Sequence, residues 1–280
     1  MAGMYLQHFG LRELPFGITP DTAYAFSGVA HQQALNTLVV ALEGGEGFVK
    51  ITGEVGTGKT LLCRRLLQIV GAQGRTAYIP NPNLEPRTLL LAVAEELGVA
   101  GDLTSLDEYH LIKALNCALL DNARDGMRVV LFVDEAQAMP SESLEMLRLV
   151  SNLETERRKL IQIVLFGQPE LDARLRQPSL RQLLQRIAFH YKLSGLQRAE
   201  LPHYLSHRLR IAGLRGPDVF SRRSVKALYR AAGGVPRLVN ILAHKSLLSA
   251  YGEGRHTVVA RHVSVAARDT EGARRVGWVF

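Results

Sequence analysis

The sequence predicts an α/β fold, a parallel sheet of five strands flanked by helices, followed by a small all-α domain. Three observations carry that reading. Over roughly the first 195 residues, short apolar runs rich in β-branched side chains alternate with stretches of helical period, the pattern of a parallel sheet whose strands are joined by helices. A glycine-rich run at 53–60 stands between one such strand and one such helix. From Ser194-Gly195 onward the strand pattern gives way to helical periods.

Taken in order, strands are expected at Gly47–Thr52, Arg75–Pro80, Arg128–Asp134, Leu160–Gly167 and Arg186–Leu193, each apolar enough to be buried on both faces. Between them the helical period predicts helices at Ala30–Glu43, Thr60–Val70, Glu85–Leu97, Ser105–Ala123, Ser141–Thr155 and Ser179–Gln185, with Thr88, Asp107 and Ser141 as capping residues. Further helices follow at Ala199–Ala212, Ser221–Ala232 and Arg237–Tyr251, the last opening after a Gly-Gly-Val-Pro turn, and a short strand is expected at His256–Val259. The chain thus divides into an α/β domain over 1–195, a helical lid over 196–265 and a basic, poorly periodic tail over 266–280 that contains Trp278.

Composition narrows the class. With 47% apolar and 21% charged residues among 280, the chain can bury a core, which excludes a disordered or collagen-like protein. Cys63 and Cys117 lie too far apart in sequence, and are too few, for a disulfide framework or a four-cysteine zinc site, and fit a reducing compartment. No run reaches the roughly 18 apolar residues of a membrane span, and Glu13, Asp21 and several prolines occupy the place of a leader peptide, so a cytoplasmic protein is expected. The net charge of +8 is unevenly spread: residues 1–170 hold 14 Lys and Arg against 20 Asp and Glu, residues 171–280 hold 20 against 6. An excess of that size suits phosphate, an acidic protein surface or anionic lipid.

The glycine-rich run, Gly53-Glu54-Val55-Gly56-Thr57-Gly58-Lys59-Thr60, fills the pattern G-x-x-x-x-G-K-[ST] between strand and helix. Its glycines let backbone N–H groups curl inward onto phosphates, and the positive end of the following helix adds to the field. Lys59 is expected to reach the β- and γ-phosphates of ATP and the Thr60 hydroxyl to ligate Mg²⁺. A second motif lies 75 residues after Lys59, where the apolar run Val129–Val133 ends in Asp134-Glu135. A carboxylate at the tip of a buried strand needs a neutralising cation. Asp134 is therefore expected to hold the metal, largely through water, and Glu135 to deprotonate the attacking water. The chain reads as a P-loop NTPase with ATPase activity.

The continuation Glu135-Ala136-Gln137 resembles the AAA+ ATPases, and further wording sharpens the likeness. Tyr5-Leu6-Gln7-His8-Phe9-Gly10-Leu11, Pro15-Phe16, Thr19-Pro20-Asp21, Gly167-Gln168-Pro169-Glu170-Leu171 and Gly233-Gly234-Val235-Pro236-Arg237 resemble the ExeA (general secretion pathway protein A) family from about Met4 to Ala260, most closely its branch in mannose-sensitive haemagglutinin (type IV) pilus biogenesis. The likeness to ExeA covers its ATPase part, with no membrane span or peptidoglycan-binding module read after it.

Position by position, the resemblance implies that Gln168 is the sensor contacting the γ-phosphate or its water, that Arg237 is a second sensor, and that Arg181 or Arg186 is a finger completing a neighbouring subunit's site. Arg237 is also a basic residue at the positive end of a helix, a placement that calls for an anion. Pro15 and Phe16 would line the adenine pocket, with core packing as the other account, and Asn81 would restrain Glu135. His203 and His207 have the spacing of a zinc pair but no accompanying third ligand, and read as a solvated helix face. Cys63 reads as a buried small side chain.

Together these imply an ATP-driven, nucleotide-dependent homo-oligomer that assembles a pilus or secretion apparatus, peripheral at the inner membrane through its partners. The basic C-terminal half admits nucleic acid, and with it an alternative: an ATP-switched DNA-binding regulator of the transposition-helper type.

Overall fold

The computed structural model describes residues 2–19, 21–155 and 158–275. In chain order the elements are α1 (Ala2–Phe9), α2 (Val29–Glu43), β1 (Phe48–Thr52), α3 (Lys59–Gly71), β2 (Gly74–Ile79), α4 (Pro86–Glu96), α5 (Glu108–Arg124), β3 (Arg128–Val133), α6 (Ser141–Val150), β4 (Gln162–Gly167), α7 (Pro169–Leu175), α8 (Arg181–Arg186), β5 (Ile187–Lys192), α9 (Leu201–Ile211), α10 (Arg222–Ala232), α11 (Pro236–Gly252) and α12 (Ala260–Arg268). They form two compact units. One comprises His31–Glu54 and Leu62–Leu193; the other Met1–Ala30, Val55–Leu61 and Ser194–Phe280.

The first unit holds a five-stranded sheet in the order β2-β3-β4-β1-β5, with every pairing parallel. Parallel pairing brings the carboxyl ends of the strands to one edge of the sheet, and the loops that follow are where such folds place ligands. The three inner strands read as continuous apolar runs because helices cover both faces, and β1 and β4 are buried at every position. Burial on both faces fails at the two outer strands, β2 and β5, where buried or half-buried positions alternate with more exposed ones. An outer strand has a neighbour on one side only, so its apolar character overstated its burial.

The second unit is all-helical, with a core built from Tyr5, Phe16, Tyr204, Leu205, Leu228, Val239, Leu242 and Val263 among others. Three of its features, and one in the sheet unit, depart from the sequence expectation. Helices α1 and α12 were not expected, and α12 carries helix through Arg268 into what reads as tail. Its buried residues Val263, Ala266 and Ala267 do follow helical spacing. Beyond it, the Arg274 N–H still donates to the Ala231 carbonyl at 2.9 Å. His256–Val259 forms no strand but a single parallel bridge, Phe220 to Val258. In the sheet unit, α7 is an unexpected helix, with Pro169 at its first position and Glu170 and Asp172 in its first turn. Pro20 and Trp278 lie outside the described residues.

Of the expected caps, Asp107 accepts the His110 N–H at 2.9 Å. Thr88 falls inside α4 and Ser141 is the first residue of α6, whose preceding residue is Pro140, so neither caps. Cys63 is fully buried and Cys117 exposed. Among the described residues no helix is long and apolar enough to cross a membrane.

Candidate nucleotide-binding site

β1 ends at Thr52 and α3 begins at Lys59, so the phosphate-loop sequence occupies the turn between them. Gly56 and Gly58 take φ values of +80° and +96°, which side chains with a β-carbon rarely adopt. The turn delivers its last residues as the first turn of α3, whose leading N–H groups lack partners within the helix. Thr57 and Lys59 are buried, at 2% and 5% exposure.

Arg237 meets this loop within the helical unit. It is the second residue of α11, and its N–H donates to the Gly56 carbonyl at 3.2 Å. A β-carbon on Gly56 would lie 2.5 Å from the Arg237 Cβ. The Gly-Gly-Val-Pro turn is itself fixed from behind: Leu196 N–H donates to the Gly234 carbonyl at 2.8 Å, and β-carbons on Gly195 or Gly234 would strike each other's backbone neighbourhood at 2.6 and 2.4 Å. Close backbone approach therefore explains why glycine stands at these positions.

Asp134 and Glu135 follow β3 in the sheet unit. Asp134 is 3% exposed and its N–H donates to the Ile79 carbonyl at 3.0 Å. The same side chain accepts the Glu135 N–H at 2.9 Å. Its neighbours register it: burial, then the Asp134 charge, pushes the Tyr78 phenol up to about 12 and pushes the Cys63 thiol up as well. Glu135 has φ 51°, a left-handed conformation shared by no other described non-glycine residue. Its Oε2 accepts from Gln137 Nε2 at 2.6 Å and from Gln168 Nε2 at 3.0 Å. Gln168, straight after β4, thus lies within hydrogen-bond reach of Glu135.

The remaining expected residues lie elsewhere in their units. Arg181 and Arg186 open and close α8, both exposed; Arg186 donates to the Ser151 hydroxyl at 3.4 Å. Phe16 is buried and meets Phe220 edge-on, with ring centroids 5.9 Å apart. The Pro15 carbonyl accepts from Arg208 Nε at 2.6 Å, an interaction that fastens this segment to α9. Asn81 is exposed. His207 bonds the Ala25 carbonyl through Nε2 at 3.1 Å, and no group of three metal-ligating side chains occurs among the described residues.

Sequence reasoning missed two features. Gln137 was read as part of a family signature, not as a partner of Glu135; its place two residues past the acid was the available signal. The other is a polar cluster around Lys50, a lysine 4% exposed in the middle of β1. Lys50 Nζ donates to Asp172 Oδ1 at 2.6 Å, and the Thr52 hydroxyl lies 3.1 Å from Asp172 Oδ2 and 3.0 Å from His190 Nε2. A charged residue in an otherwise apolar strand, which must be paired if buried, was the signal here.

Residues 42–175 match the family model described as AAA domain. General secretion pathway protein A of Aeromonas hydrophila is 43% identical over 274 residues, 98% of this chain and 50% of that protein. Over nearly its whole length the chain is thus similar to one half of a general secretion pathway protein A. It spans about half the length of this curated relative, and the shared half contains both the AAA domain and the helical unit. Among solved structures, the ORC2 protein of Aeropyrum pernix, determined as ADPNP-ADP complexes, aligns with a TM-score of 0.65 at 17% identity, over 91% of this chain and 72% of that one. Cdc6p of Pyrobaculum aerophilum aligns at 0.67 and 20%, over 89% and 70%. At such identities the likeness concerns the fold: an AAA-type parallel sheet with a helical region after it.

Proposed function

We propose that the chain binds ATP with Mg²⁺, hydrolyses it, and uses the cycle to drive assembly of a type IV pilus or secretion apparatus at the bacterial inner membrane. The observation that carries the chemistry is a complete phosphate-loop sequence opening α3, together with a buried Asp134 beside Glu135 at the end of β3. The residues suit the nucleotide: a backbone turn free of β-carbons at Gly56 and Gly58, and a buried carboxylate that a divalent cation would neutralise. Lys59 and N–H groups of the loop from Val55 to Thr60 would hold the phosphates, the Gly53 N–H being given to the Gly167 carbonyl at 3.2 Å, and Thr60 and Asp134 would hold the metal. Glu135 takes the proton of the attacking water, and Gln168 donates from beside it. Arg237 brings positive charge to the loop it already touches.

Hydrolysis is completed by a neighbouring copy, through Arg181. Arg186 is engaged with Ser151, whereas Arg181 has no side-chain partner among the described residues, which leaves its guanidinium available to another chain. The similarity to general secretion pathway protein A supports the biological setting, and the likeness of the N-terminal wording to the mannose-sensitive haemagglutinin branch supports the pilus. The protein then works in the cytoplasm, held at the membrane by its partners.

Two variants test the chemistry. Lys59→Ala should abolish ATP binding in calorimetry; unchanged affinity would remove the proposal. Glu135→Gln should bind ATP normally and hydrolyse it about 100-fold more slowly, the order expected for a lost general base.

A second reading, DNA binding, draws on one observation: the exposed face of α10 carries Arg222, Arg223, Lys226 and Arg230, with no ion pair among the described residues. A duplex affinity that falls steeply with salt would support it, and salt-independent or absent binding would dismiss it.

A further inference from the structure

Gln137 has no part in the reading above, yet both ends of its amide are engaged beside the base. A backbone N–H can only donate, so the Gln168 N–H, 2.9 Å away, identifies the facing end of the Gln137 amide as its oxygen. The amino end is thereby turned to Glu135, where it donates to Oε2 at 2.6 Å. The Gln137 main-chain carbonyl accepts from Arg174 on α7. Space beside it is restricted too, since a β-carbon on Gly167 would come 3.3 Å from the Gln137 Oε1.

What this holds is a residue that would not hold itself. A non-glycine residue in the left-handed region carries a cost of about 1–2 kcal/mol, and such conformations persist where surrounding contacts over-determine them. Glu135 also has a long side chain, whose carboxylate must sit within hydrogen-bond reach of one water to act as a base. The geometry points to Gln137 as a positioning residue for hydrolysis: it ties the Glu135 carboxylate to the backbone at the end of β4, so that the base and Gln168 keep one arrangement. The inference rests on Glu135 being the base, as proposed above.

The test measures ATP affinity and steady-state hydrolysis of the full chain with Gln137→Ala and Gln137→Met, the latter keeping the length without the donor. Each is made in the wild-type and the Glu135→Gln background. ATP affinity should stay within about twofold of the parent, while kcat falls about 10-fold or more in the wild-type background, since small misplacements of a reacting group cost on that order. Added to Glu135→Gln, neither change should lower the residual rate further, because no carboxylate base remains to be positioned. A residue that merely supported the fold would slow both backgrounds alike. Full activity of Gln137→Met, or equal losses in both backgrounds, would overturn the inference while an inactive Glu135→Gln left the base assignment standing. Wild-type turnover by Glu135→Gln itself would overturn both.

Discussion

A methyl group on Gly56 would place its carbon 2.5 Å from the Arg237 Cβ and 3.3 Å from both the Arg237 Cδ and the Val235 Cγ1, at a φ of +80°. Backbone strain and overpacking then add, and Gly56→Ala should lose about 2–4 kcal/mol in urea unfolding; a loss below about 1 kcal/mol would mean that the Arg237 turn yields easily. The motif glycine was legible in the sequence because phosphate chemistry fixes residue types at fixed spacing. So were Lys59, Thr60, Asp134 and Glu135 as candidates. Gln137 was not, because its use depends on where the end of β4 falls beside it, and that pairing is set by the sheet. Lys50 escaped for a related reason: its partner, Asp172, comes from α7, 122 residues away.

At the level of elements, periodicity located all five strands to within two residues at either end, since four to eight apolar residues between turns leave little choice. It failed at α1 and α7, which are short, and at α12, whose basic residues masked a helical spacing of buried ones. The cluster joining β1, β5 and α7 predicts a pH dependence. Burial, then the Lys50 charge, holds the His190 imidazole below its ordinary value against the pull of Asp172. The unfolded chain therefore takes up that proton first; the contribution of His190 to stability is complete above about pH 6.5 and lost as pH falls through the lower folded value. Burial pushes Asp172 up, but the Lys50 hydrogen bond and charge outweigh it and hold the carboxyl below its ordinary range. Its contribution is likewise lost toward acid, in a separate window below about pH 4. Stability from denaturant midpoints should begin to fall as pH drops through about 6.5, modestly because the His190 side chain is 43% exposed. His190→Gln should reduce that slope, the remainder coming from His244, whose imidazole is also held below its ordinary value by burial, and should leave the more acidic window; an unchanged slope would place the titration elsewhere.

For the molecule as a whole, the finger assignment has a consequence in mixtures. Arg181→Ala should bind ATP and lose about 10³-fold in hydrolysis, the scale of a missing finger. Adding Glu135→Gln protein should restore activity, because an intact finger on one chain then faces an intact glutamate on another. No recovery at any mixing ratio would show that each chain completes its own site. The buried Cys63, one turn into the phosphate-loop helix, offers a different view of the entire fold. Its thiol is shielded and its ionisation suppressed by burial and by Asp134, while Cys117 is open to solvent. A thiol reagent should therefore modify one cysteine per native chain and two in denaturant. The slow second modification is a clock that the unaltered protein already carries: it ticks only when the helix bearing Lys59 and Thr60 leaves its core, and ATP should slow it in proportion to how firmly those residues are held.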